Sequence, residues 1–143
     1  MGAKGQVVKA MALIQRPADG ALLVSEGTSP AGEPFHRLLG GHVELGERAI
    51  QTIHREIEEE IGQALAEVRL AAVLENIFEW KGEQAHEVVF VYAAAFADEG
   101  AYDIDEQWVK DALPPVRVIW RPAQAASPPL YPDGVADLAK ESS

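Results

Sequence analysis

Apolar and polar positions alternate unevenly along this chain, and the changes of rhythm mark its elements. Residues 6–16 are apolar with isolated polar breaks and read as a strand. Pro17, Ala18, Asp19 and Gly20 follow as a turn, and residues 21–24 as a short returning strand. Residues 25–35 are rich in Gly, Pro and Ser and read as a loop. Leu38 and Leu39 lead into Gly40 and Gly41, then into His42, Val43, Glu44, Leu45, Gly46 and Glu47, and the glycines leave little room for a regular element. From 48 to 61 the period becomes helical: Ile50, Ile53, Ile57 and Ile61 recur at spacings of three, four and four, and Gly62 is a stop. Residues 68–80 read as extended chain, 81–84 as a turn, and 86–96, dense in Val and aromatics, as the strongest strand, so that the two runs suggest an antiparallel pair. An acidic loop at 98–105, a short strand or turn at 106–113 and an apolar run at 116–120 come next. Residues 121–134 hold four prolines and read as irregular, and 133–140 as a small final helix.

Strands, one strong central helix, strands again and weaker C-terminal elements make a mixed α/β or α+β domain, its sheet covered by helices. With 143 residues and no internal repeat, a single domain over 1–143 is expected. The chain has no cysteine, which excludes disulfides, thiolate metal sites and cysteine nucleophiles. Near the start, Lys4, Lys9 and Arg16 flank and break one modest apolar run, which is neither a signal core nor a membrane span. Met1-Gly2 lacks the Ser or Thr at position 6 that myristoylation needs. A cytoplasmic protein with no membrane partner is the expectation. Twelve basic against 23 acidic residues give a net charge of −11, a surface that repels a long nucleic acid. A small phosphorylated ligand stays admissible if cations bridge it to the carboxylates.

The placement of the acids therefore matters more than their number. On a helical wheel over 48–61, Glu56 and Glu60 nearly superpose, Glu59 lies on their flank and Glu58 points away. Convergent carboxylates repel, and more strongly as water is withdrawn. They either take up protons or hold a hard divalent cation, and oxygen-only ligands suit Mg²⁺ with Mn²⁺ as substitute. Arg55 is placed to orient Glu59, four residues on. Gly40 and Gly41 allow close backbone approach, so their carbonyls can complete an oxygen shell. Glu47 stands at the helix start, where an acid is favoured, and is placed to brace the loop.

Gly41, five residues, Glu47, seven residues, Arg55-Glu56-Ile57, one residue, Glu59-Glu60, one residue and Gly62 resembles the signature box of the Nudix hydrolases. Two positions depart from the family pattern: Gln63 replaces an aliphatic residue, and Leu39 stands where many members have proline. The resemblance implies an α/β/α sandwich around a mixed sheet. It also implies Mg²⁺- or Mn²⁺-dependent hydrolysis of a diphosphate linkage in a nucleoside diphosphate derivative or nucleoside triphosphate. Glu56, Glu59 and Glu60 match the family's metal carboxylates, Arg55 its orienting arginine, Gly41 or Gly40 the turn whose carbonyl reaches the metal, and Glu47 the brace.

Family members often recruit one more acid outside the box. Glu87, beginning an otherwise apolar strand, is the first candidate, ahead of Glu75 and of Asp103, Asp105 and Glu106. Glu56, Glu59 and Glu87 are the general-base candidates. Arg37 suits phosphate oxygens, ahead of His42, Arg16 and Lys9. Phe35, Phe78, Trp80 and Tyr92 offer flat apolar contacts, and Phe78 and Trp80 share one side of their strand, for a base pocket or a subunit contact. A small nucleotide is the expected partner, and a homodimer is left open. The competing reading is a non-catalytic nucleotide-binding module on the same fold, against which the full set of box carboxylates counts.

Overall fold

The computed structural model describes residues 5–142. Met1, Gly2 and Lys4 lie outside the described residues. The elements run β1 (Val7–Leu13), β2 (Leu22–Thr28), β3 (Pro34–His42), α1 (Ala49–Ile61), β4 (Leu65–Trp80), β5 (Glu83–Phe96), a 3-10 turn at Glu99–Asp103, β6 (Glu106–Trp108), β7 (Arg117–Arg121), β8 (Leu130–Tyr131) and α2 (Val135–Ser142).

One strand ties the sheet together. The strand order is β4-β5-β1-β3-β2-β7-β6, with β8 pairing β3 off this path. β1 is parallel to β5 and antiparallel to β3, which makes the sheet mixed. The far half of β3 pairs with β1 through Leu39, Gly40, Gly41 and His42, while its near half, Pro34 to Leu38, pairs with β2. Beyond the reach of β1, β8 sits beside His36 and Arg37 of β3.

Both faces of β1 are buried, which is why it reads as one apolar run rather than an alternation. Ala10, Ala12 and Ile14 share a core with Leu39, Leu23, Phe96 and the α1 residues Ile53, Ile57 and Ile61. Met11 and Leu13 share the other with Leu22, Val24, Leu38, Val89, Val91 and the α2 residues Val135 and Ala139. Helix, sheet and helix form the expected α/β/α sandwich around a mixed sheet. No helix among the described residues is long and apolar enough to cross a membrane.

Several sequence expectations need correction. Gly40 and Gly41 do not interrupt regular structure; they lie inside β3. Their purpose is room: a Cβ on Gly40 would stand 2.1 Å from the Ala10 carbonyl oxygen and 2.7 Å from the Met11 Cα. The turn comes later, where the Glu47 amide donates to the Glu44 carbonyl at 2.9 Å and Gly46 takes φ 83°. The 25–35 loop shrinks to a turn closed by the Ser29 amide on the Glu33 carbonyl at 2.8 Å, because β2 and β3 continue their pairing up to Thr28 and Pro34. Ile50 remains 39 % exposed, and Thr52 is buried in its stead with its hydroxyl donated to Glu47 at 2.7 Å. The helix closes as read, with Gly62 left-handed at φ 71° and its amide on the Glu58 carbonyl.

The proline-rich segment is anchored by a buried arginine. The Arg121 guanidinium donates to the carbonyls of Pro128 at 2.6 Å and Ala125 at 2.8 Å, and lies 3.0 Å from Nδ1 of buried His36. Guanidinium nitrogens only donate, so His36 Nδ1 accepts and the ring is neutral. Burial, and then the Arg121 charge, hold the His36 pKa below its ordinary value. A group whose folded pKa is depressed stabilises fully above its unfolded pKa, roughly 6.5, and loses that contribution as pH falls toward the folded value. Urea midpoints between about pH 7.5 and 5 are expected to fall more steeply for the native chain than for His36→Gln, which keeps an acceptor and does not titrate. Equal slopes would remove His36 as the source.

Candidate active site

The site is built where α1 crosses the glycine half of β3. Gly41 makes the crossing close: a Cβ there would sit 2.4 Å from the carboxylate carbon of Glu56. Glu60 lies one helical turn on, accepts a backbone hydrogen bond from Gly40, and meets Glu56 side chain to side chain. Burial first, and then the Glu56 charge, push the Glu60 carboxyl well above the usual carboxylate range, while Arg37 and the Gly40 contact oppose this.

Arg55 fastens the loop to the helix. Its Nε and Nη2 donate to the two oxygens of Glu47 at 2.7 and 2.9 Å, a fork-to-fork pair. Its Nη1 donates to Glu56 at 3.0 Å and to Glu59 at 3.3 Å, and Nη2 reaches the His42 carbonyl at 3.3 Å. The Arg55 and Thr52 hydrogen bonds hold Glu47 down to about 2, and the Glu47 contact raises Arg55 in turn. Glu47 also accepts the Glu44 amide at 3.2 Å. The anticipated brace thus exists, with Thr52 as a member that the sequence reading lacked.

The three expected carboxylates do not gather symmetrically. Glu56 and Glu60 face each other beneath the strand, whereas the Glu59 side chain is 59 % exposed and held by Arg55 alone. Glu58 is exposed, as its phase predicts. Among the described residues no three histidine, aspartate or glutamate side chains stand as a ready-made metal cage. What stands ready is an oxygen-only pair, short of positive charge, beside the backbone of two glycines. Such a donor set fits a hard divalent cation.

A cavity of about 530 Å³ opens nearby, within the usual range for small-ligand sites. Arg37 belongs to both places: it lines this cavity, and its charge acts on Glu60. Phe78 and Trp80 line it too, as their shared phase allows. The Phe35 ring stands edge-on to Trp80 at 6.1 Å and to Tyr131 at 5.8 Å, and it rests on Gly27, where a Cβ would meet the ring at 2.4 Å. Glu87 is buried in the same cavity, but its ion-pair partner is Lys9 at 2.8 Å rather than a group of the helix. Asp103, Asp105 and Glu106 do not line it; Glu106 pairs with Arg117, and Arg16 with Asp19 at 2.7 Å and Asp105 at 3.8 Å. Tyr92 is core, and His42 is exposed. The place of Tyr131 and the neighbouring prolines on this wall went unread, because a proline-rich stretch carries no period. Asn76 left a readable signal, an amide in phase with Leu74 and Phe78 on the inward side of its strand.

A family model described as the NUDIX domain matches residues 5–137. No curated protein matches the chain significantly. Among solved structures, the chain is similar to a MutT NUDIX hydrolase from Burkholderia pseudomallei, with 26 % identity over 96 % of this chain and 97 % of that one, at a TM-score of 0.64. An E. coli dihydroneopterin triphosphate pyrophosphohydrolase shares the fold at 16 % identity, covering 94 % and 92 % at a TM-score of 0.64. A NUDIX hydrolase from Nitrosomonas europaea aligns at 21 % identity and a TM-score of 0.53, over 66 % of this chain and 61 % of its own length.

The two glycines are expected to fail differently when changed to alanine. In Gly40→Ala the new methyl meets backbone of β1, so the chemical-denaturation midpoint should drop, by overpacking of roughly 1–3 kcal/mol. In Gly41→Ala it meets the far end of a glutamate, which can swing away. That variant should stay near native stability while divalent-cation binding, read by titration calorimetry, weakens.

Proposed function

This chain belongs to the Nudix family of hydrolases, and on that premise we propose that it uses a divalent cation, Mg²⁺ or in its place Mn²⁺, to hydrolyse the diphosphate linkage of a nucleoside diphosphate derivative or nucleoside triphosphate. The observation that carries the proposal is the packing of Glu56 and Glu60 against each other under Gly40 and Gly41, with Arg55 hydrogen-bonded to Glu56 and the Arg37 charge acting on Glu60. Two desolvated carboxylates in contact are unfavourable unless a cation or a proton separates them.

Glu56 and Glu60, with a carbonyl of Gly40 or Gly41, would hold the cation, and Glu59 stands on their flank. When bound, the metal supplies neutralisation of phosphate oxygens and acidification of water. The chain's own residues do the positioning. Arg55 fixes the direction of Glu56 and steadies Glu59. Glu47, held by Arg55 and Thr52, keeps the entry loop against α1 so that the glycine strand and the helix stay in register. Glu59 is the most exposed of these carboxylates and has a single partner, which suits it to accept the proton of an attacking water. Arg37, between the glutamates and the cavity, suits a bridging phosphate. The apolar and aromatic cavity suits the moiety carried by that phosphate, a small nucleotide rather than a polymer.

Glu56→Gln and Glu60→Gln are each expected to keep the circular-dichroism spectrum of the native chain. Both should lose Mg²⁺-dependent hydrolysis of the diphosphate linkage, read as appearance of the cleaved nucleotide, by more than the roughly 10- to 100-fold that removal of a supporting group costs at a metal. Glu60→Gln should also melt no lower than the native chain without metal, since a repulsion has gone. Glu58→Gln is expected to behave as the native chain in both assays. Normal turnover by the Glu56→Gln, Glu60→Gln double variant would falsify the metal-site reading.

A further inference from the structure

Asn76 is buried to 6 % exposure on the cavity wall, and its side-chain oxygen has no hydrogen-bond partner. A buried amide oxygen left unmatched costs free energy, and its position at the wall of a ligand-sized space gives that cost a use. The cost is avoidable in principle, because an aliphatic side chain fills the same place without an orphaned acceptor.

Two other polar groups line the cavity beside it. Asn76 of β4 is paired in register with Glu87 of β5, and Glu87 lies beside β1, where Lys9 holds its Oε2 at 2.8 Å. All three line the cavity, on three adjacent strands. Read across the sheet, Lys9 offers an ammonium donor, Glu87 its second carboxylate oxygen and Asn76 its free amide oxygen. The row is donor, acceptor, acceptor. Phe78 stands two residues beyond Asn76 and Trp80 two beyond that, providing flat surface on the same side.

We propose that this row reads the edge of a 2-amino-oxo heterocycle, the edge of guanine, which presents a carbonyl, a ring N–H and an exocyclic amino group as acceptor, donor and donor. Lys9 meets the carbonyl, Glu87 the ring N–H and Asn76 the amino group. Adenine presents the opposite order at the first two places and leaves Lys9 facing a donor. Uracil and cytosine lack an amino group at the third place. The inference rests on the nucleotide reading of the site and narrows it to one class of base. A 2-amino-4-oxopteridine carries the same edge, so the chemistry is shared by two sources of ligand.

The test uses no metal, so that recognition is read apart from hydrolysis. Titration calorimetry in EDTA measures the uncharged nucleosides guanosine, inosine, adenosine and uridine and a free 2-amino-4-oxopteridine against the full chain, because without a bridging cation a phosphate would be repelled by the acidic surface. The guanosine compound is expected to bind at least about tenfold more tightly than the adenosine and uridine compounds, the range of one good base-edge match. Inosine, which lacks only the amino group, should fall between them. Tighter binding of the pteridine than of the guanosine compound keeps the edge and assigns the other ring system. Asn76→Leu should erase the difference between guanosine and inosine and raise the melting temperature, because the orphaned acceptor is gone. A purely structural asparagine would lower it. Equal affinities across the panel, or no binding of any member, overturn the proposal even if Mg²⁺-dependent hydrolysis is intact. Loss of hydrolysis with selective binding retained would strike the catalytic reading instead. Should Asn76→Leu not fold, the comparison of guanosine with inosine on the native chain decides alone.

Discussion

The site depends on how closely a helix can approach a strand. Glu56 needs the volume that a side chain on Gly41 would occupy, and β3 needs the absence of one on Gly40 to lie against β1. Closeness withdraws water from Glu56 and Glu60, and that withdrawal sharpens their mutual repulsion. Everything around them answers the repulsion: the Arg55 fork, the Gly40 amide, the charge of Arg37 and the loop that Glu47 holds. Removing water also strengthens the pull on any cation that enters. The same geometry that burdens the empty fold rewards the loaded one.

Much of this was legible in sequence because the helix obeys a simple period. Ile53, Ile57 and Ile61 bury one side of α1, so the phase of Glu56, Glu60 and Glu58 followed with no further input. Arg55 and Glu47 were readable from spacing. The glycines were misread as a break in regular structure, since glycine signals a turn and a close approach alike, and only the neighbour β1 tells which. Glu59 was expected to converge with its companions; the contact with Arg55 anticipated from their spacing is present, but it leaves Glu59 on the exposed flank. The cavity was the least visible part. Phe35, Lys9, Asn76, Glu87 and Tyr131 come from separate strands, and their meeting is a property of strand order. The strand β8 was hidden because its pairing is short and sits among prolines, where neither alternation nor propensity has length to show.

The two halves of the site differ in how they are held. The glutamates stand on a capped helix with a buried face, and their clamp is a network of charge-assisted bonds. The far wall of the cavity is a proline-rich segment pinned by one buried arginine to His36 and to backbone carbonyls. Changes in the second can alter the shape of the cavity without moving the first. That division matches a chemistry whose cutting step is constant and whose ligand is not.

Strand β3 gives that division a length. Phe35 marks one end, in the aromatic wall, and Gly41 the other, against Glu56, with Arg37 between. Six residues of extended chain cover roughly 20 Å at about 3.3 Å each. On the proposed reading the strand is a ruler: a group resting on the Phe35 ring lies one fixed span from the glutamates. What hangs beyond that point projects past the ruler and is not measured.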